Sequence, residues 1–143
     1  MDLLGSIDPF IRFNLSTSRW QAYCSKCETS VKNNCPFSAA WKEEIFVFGI
    51  EEPESLTLEL WDWDRTGTEY VGTATVNMED IIKLMQAKFG SEIFVTVPVY
   101  NNDISIMGYD KLPCCLKVSL KLINDDKKIS LFSLTQLQVK CLI

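Results

Sequence analysis

Hydrophobic positions along this chain recur with two periods. Most apolar runs are short and alternate with polar residues, which is the period of a strand buried on one face. Residues 9–15, PFIRFNL, put Phe10, Arg12 and Asn14 on one side and Ile11, Phe13 and Leu15 on the other. Residues 55–64, SLTLELWDWD, put Leu56, Leu58 and Leu60 on one face and Thr57, Glu59 and Trp61 on the other. Their content of strand formers predicts further strands at 19–24, 42–50, 70–78, 92–100, 112–123 and 134–143. One segment, 78–89, changes to helical spacing, with Ile81, Ile82, Met85 and Phe89 in one stripe. Glu79 and Asp80 near its start suit the positive end of a helix dipole. Polar stretches at 32–38 and 51–55 read as a loop and a turn. The pattern, about eight short strands and one small helix, predicts an all-β, antiparallel sandwich rather than a barrel.

The chain has 143 residues, enough for one domain with a sizeable core. Its formal charge of -5 repels a phosphate polyanion, so no nucleic-acid partner is expected. There is no histidine, which removes Ser-His and Cys-His catalysis and the commonest neutral metal ligand. The expectation is a protein that is not an enzyme. The N-terminus shows no signal-peptide pattern, and no apolar run approaches the roughly 18 residues of a membrane span. A cytoplasmic setting with reduced thiols follows. Cys24 and Cys27 have zinc-site spacing, with Cys35 or the Cys114/Cys115 pair to complete it, but small buried thiols are the plainer reading.

Acidic residues gather in two loops. The first holds Asp2 and Asp8, just before a strand; the second holds Asp62, Asp64 and Glu69, just after one. Residues two apart on a strand share a face, so Asp62 and Asp64 point the same way. Crowded carboxylates repel each other, and a hard divalent cation removes that cost. Calcium suits such a site because it accepts six to eight oxygens in flexible geometry. If the two loops meet, all five carboxylates converge. The plainer reading makes Asp8 a turn former before Pro9, and Asp62 and Asp64 caps of a turn.

Three stretches carry a resemblance. GSIDPFIRF resembles the "SDPY-V-V" start of a C2 domain. AWKEEIFVF resembles its "P-x-W-N-E-x-F-x-F" strand, and LELWDWDRTGTEYVGT its third calcium loop, "V-W-D-x-D…D-x-x-G". All three occur in family order, over roughly residues 1–123. The resemblance implies a Greek-key C2 sandwich, with Asp2, Asp8, Asp62, Asp64 and the Trp63 carbonyl as calcium ligands. The last ligand position falls on Glu69 where the family has Asp, and the loop is one residue short. One well-held Ca2+ and a weaker second are therefore expected.

The resemblance also implies calcium-dependent docking to anionic, phosphatidylserine-like membranes. Leu3, Leu4 and Ile7 are expected at the first loop's tip, with Thr66 and Tyr70 flanking the tip of the third; bound calcium would bridge to lipid phosphates, and Arg65 would add a phosphate contact. A basic strand face for phosphoinositides would fall on Arg19, Lys26 and Lys32, but it is sparse, and solvated surface is the better reading. The chain starts where the family's early strand would have ended, while residues 134–143 look like that strand. Residues 1–123 are thus expected to form the sandwich, 124–133 a connector, and 134–143 a strand completing it. Alternatively, residues 124–143 begin a second domain and leave an open sheet edge for a protein partner or dimer. Two rival functions stand beside calcium-dependent targeting: a calcium-independent protein-interaction module, and a regulatory piece of a lipid-acting enzyme.

Overall fold

The two hydrophobic periods become two antiparallel sheets and one helix. The computed structural model describes residues 7–15, 28–35, 38–50, 55–107, 113–125 and 130–140. Among them the strands are β1 (Pro9–Leu15), β2 (Ser38–Trp41), β3 (Phe46–Ile50), β4 (Ser55–Asp64), β5 (Gly67–Asn77), β6 (Ile93–Pro98), β7 (Tyr100–Asn101), β8 (Ile104–Ser105), β9 (Cys115–Asp125) and β10 (Ser130–Lys140), with helix α1 (Met78–Ala87) after β5. The first sheet runs β1-β4-β5-β7-β8; the second runs β2-β10-β9-β6, and β3 also pairs with β10.

Alternation decides which side of each strand is buried. Ile11 lies opposite Leu60 and Phe13 opposite Leu58, and all four are buried. From the second sheet, Phe46, Phe48, Leu116, Leu120, Phe132 and Leu134 fill the space facing them. Phe13 sits at the join. Its ring is 4.6 Å from Phe46 and 5.4 Å from Phe48, and Phe48 stacks on Phe132 at 5.5 Å. Trp41 is also buried, and its indole N–H donates to the Ser30 carbonyl at 2.8 Å, so its polar edge is satisfied.

Several boundaries differ from the pattern, each for a local reason. The 42–50 strand starts late, because a turn at Lys42–Glu43 separates β2 from β3. The 92–100 strand splits after Pro98: β6 lies in the second sheet and β7 in the first. The unforeseen β8 returns from β7 through a turn in which Asn102 and Asp103 have φ of 50° and 65°, the left-handed pair that tight hairpins favour. Helix α1 is capped by Asn77, whose side chain accepts from the Glu79 N–H, and it buries Met78, Ile82 and Met85. Phe89, expected in the apolar stripe, is 61% exposed because the helix ends before it. No described helix is long and apolar enough to cross a membrane.

The expected connector at 124–133 is shorter than the pattern implied. β9 runs to Asp125 and β10 begins at Ser130. β10 then occupies an interior place, with β9 on one side and β3 and β2 on the other. The expected strand at 19–24 and residues 141–143 lie outside the described residues.

β5 contains a bulge. Leu60 pairs with Gly72 but Trp61 pairs with Tyr70, so Val71 is the extra residue. The Val71 carbonyl, freed from the ladder, accepts a hydrogen bond from the Asn101 side chain at 3.2 Å.

Candidate functional site

The inner face of β4 carries Leu56, Leu58 and Leu60, and the same face continues outward to Asp62 and Asp64. The core stops there, and carboxylates take over at the mouth of the sandwich. Asp8 precedes β1, whose Pro9 pairs with Asp62. The Asp8 N–H donates to Asp62 Oδ1 at 2.9 Å, and the Trp63 N–H donates to the Asp8 carbonyl at 2.9 Å. From segment 28–35, the Asn34 N–H donates to Asp8 Oδ1 at 2.6 Å. Asn34 has φ of 53°, a left-handed conformation that asparagine tolerates. Two of the expected site residues, Asp8 and Asp62, are thus brought into direct contact.

Glu69 reaches the site through the bulge. A regular ladder continuing from Leu60↔Gly72 would set Tyr70 opposite Asp62; the extra Val71 sets Glu69 there instead. Directly opposed residues share a face, and like charges in that relation destabilise it. Tyr70 moves to the outer face, where its ring meets Trp61 edge-on at 5.3 Å and its hydroxyl hydrogen-bonds with Thr73. Tyr70, expected to flank the loop tip, thus pairs with Trp61 within the ladder and faces away from the carboxylates.

Asp64 is exposed and bonded locally. Its Oδ1 accepts from the Thr66 N–H at 2.5 Å and the Thr66 hydroxyl at 2.7 Å. This Asx turn folds the Arg65–Thr66 tip, and Gly67 leaves it at φ +148°, a conformation side chains disfavour. The Thr66 hydroxyl, then the Thr66 N–H, holds the Asp64 carboxyl below its ordinary pKa. Its folded pKa is thus below its unfolded value. The stabilisation is present above the unfolded value and is lost as pH falls through the folded pKa. Thr66→Val is expected to raise the Asp64 pKa toward the ordinary carboxylate range, read by NMR titration of its side-chain carbon. An unchanged pKa would mean that the hydroxyl bond does not form in solution.

Among the described residues, no three Cys, Asp or Glu side chains gather in a way that could hold an ion. Asp2 lies outside the described residues, as do Cys24 and Cys27 of the zinc reading. Cys35 and Cys115 are free thiols. Burial first, and then the charge of Asp8, pushes the Cys35 thiol up from its ordinary pKa; Lys32 opposes this.

The membrane-facing residues are redistributed. Leu3 and Leu4 lie outside the described residues. Ile7, expected at the exposed tip, is only 6% exposed; it bridges Cys35 and joins the core, so its place at the tip is corrected. It has the parity of Ile11 and Phe13, the signal that would have placed it inside. Arg65 is exposed at the tip. The Trp63 side chain, read only for its carbonyl, is 42% exposed beside the tip. The WDWD alternation was the available signal, since it turns Trp63 away from the aspartates. Trp61 is held differently: the Arg12 guanidinium lies 5.1 Å from its ring centre and pairs with Glu28 at 3.3 Å. Of the basic strand face, only Lys32 is described; Arg19 and Lys26 lie outside.

Comparison with known proteins agrees with this architecture. Synaptotagmin-1 of Arabidopsis thaliana is 27% identical over 99 residues, which cover 67% of this chain and 17% of that protein. The C2 domain model matches residues 1–94. With two antiparallel sheets, a single short described helix and this match over more than half its length, the chain belongs to the C2 domain family.

Proposed function

We propose that this C2 domain is a targeting module that binds anionic phospholipid membranes when calcium is present. Family membership and the synaptotagmin relative support a membrane-targeting or lipid-binding module in general. C2 domains are typically non-catalytic, and we read this chain in the same way. The observation that carries the calcium reading is the Asp8–Asp62 contact, with Glu69 opposite Asp62. Each of the two aspartates gives Oδ1 to a backbone N–H, while its second oxygen has no partner among the described residues. Carboxylates at one end of the sandwich, offering oxygen donors only, suit a hard cation once further ligands join them. Asp2, Asp8, Asp62, the Trp63 carbonyl, Asp64 and Glu69 would hold it. Bound calcium would turn a negative rim positive and let it bridge to lipid phosphates. Arg65 adds a phosphate contact at the tip, and Trp63 suits the headgroup boundary.

Co-sedimentation with phosphatidylserine vesicles, in calcium and in chelator, tests this reading. Binding is expected in calcium alone. Asp62→Asn keeps an acceptor for the Asp8 N–H, so the fold should persist while the calcium-induced rise in Tm is lost. At a hundredfold excess over Kd that rise corresponds to about 2.7 kcal/mol. Equal sedimentation in chelator would overturn the calcium step. It would favour the second reading, a calcium-independent interaction module, to which the local bonding of Asp64 to Thr66 already lends weight.

A further inference from the structure

The outer face of the second sheet has an unusual composition for an acidic protein. Pairing aligns Thr96, Lys117, Gln138 and Ala40 in one row, and Phe94, Ser119 and Thr135 in the next. Lys121 and Lys140 lie on the same face. The five strands of this sheet carry these three lysines against one carboxylate, Asp125 at the far end of β9, although the whole chain carries -5. None of the three lysines has an ion-pair partner among the described residues.

A concavity of about 310 Å³ opens in this face, lined by Phe94, Thr96, Lys117, Gln136 and Gln138. Two local irregularities shape it. β10 shifts register between Thr135 and Gln138, and Gln136 within that shift has φ of 55°. A left-handed glutamine is a costly choice of backbone, and here it brings a second carboxamide to the same hollow as Gln138.

We propose that this concavity binds a phosphate monoester. An ammonium, two carboxamides and the Thr96 hydroxyl line it, all able to donate and none anionic. Three splayed phosphate oxygens match several donors better than one planar carboxylate does. Phe94, 72% exposed, supplies an apolar wall for whatever carries the phosphate. The site lies on the other sheet from Asp8, Asp62 and Glu69, so it works without calcium and stands apart from the calcium reading.

The test is titration of the whole chain with glycerol 3-phosphate in chelator, followed by backbone amide NMR. Saturable shifts are expected at Thr96, Lys117, Gln136 and Gln138, with glycerol itself giving none. Lys117→Gln should weaken binding about tenfold, and Thr96→Val should weaken it severalfold while the spectrum stays folded. Vesicles of phosphatidylcholine with phosphatidic acid separate the sources. Sedimentation in chelator, lost in Lys117→Gln, assigns a lipid headgroup; saturable binding of the free ester alone assigns a soluble one. Absence of saturable shifts, or shifts indifferent to Lys117→Gln, would overturn the site. Neither result bears on the calcium test, which is read at Asp62.

Discussion

Replacing Phe13 with alanine is expected to lower the unfolding free energy by about 3–5 kcal/mol, the usual cost of emptying a large aromatic site. Phe13 is fully buried on the first sheet, and its ring touches Phe46 and Phe48 of the second. Deleting it breaks the row that continues to Phe132. It removes transfer energy, two ring–ring contacts and the filling of the space between the layers. Urea denaturation of wild type and variant checks it. A loss below about 1 kcal/mol would mean that the layers collapse onto the gap, and the aromatic row would not be what joins them.

Gly72→Ala is the second large effect, and it acts by crowding. A Cβ at this position would lie 2.6 Å from Val99 Cγ1, 3.0 Å from the Tyr100 carbonyl oxygen and 3.3 Å from Ile106 Cγ1. Val99 is fully buried and branched at Cβ, so it cannot swing aside, and the carbonyl is backbone. Overpacking of this kind costs about 1–3 kcal/mol, and valine at the same site should cost more. Val99→Ala should be less damaging in the Gly72→Ala background than alone, because it removes the closest clash. Additive losses in that double-mutant cycle would show that the strain lies elsewhere.

The sequence exposed the long alternating strands well because one face of each is buried. Leu56, Leu58 and Leu60 cannot slip by one residue without turning three leucines to water. It exposed the Asp8–Asp62 meeting less directly, since that contact depends on how two distant loops close. Tyr70 was misplaced because a bulge reverses the parity of everything before it. The clue was present: Val71 is apolar, and so are Ala74 and Val76, which do not share its parity. Phe89 was misplaced because helical spacing alone does not say where a helix stops. Asn77 marks the start of α1, while no glycine marks its end at Ala87, and Gly90 comes only after Phe89. The lysine face of the second sheet could not be read at all without pairing, because Lys117, Lys121 and Lys140 come from two strands whose register is broken by a bulge.

The interior place of β10 has a consequence for the time course of folding. Trp41 pairs with Leu137, and Phe48 with Phe132. These partners are far apart in the chain, and β10 is the element that joins β2 and β3 to β9. During synthesis, β1, β4 and β5 can pair as soon as they emerge, whereas β2 and β3 must wait for a partner made much later. Such non-local closure is slow, and it leaves strand edges exposed in the interval. The nascent chain would therefore hold one finished sheet, a β6–β9 pair and the loose strands β2 and β3 until β10 arrives.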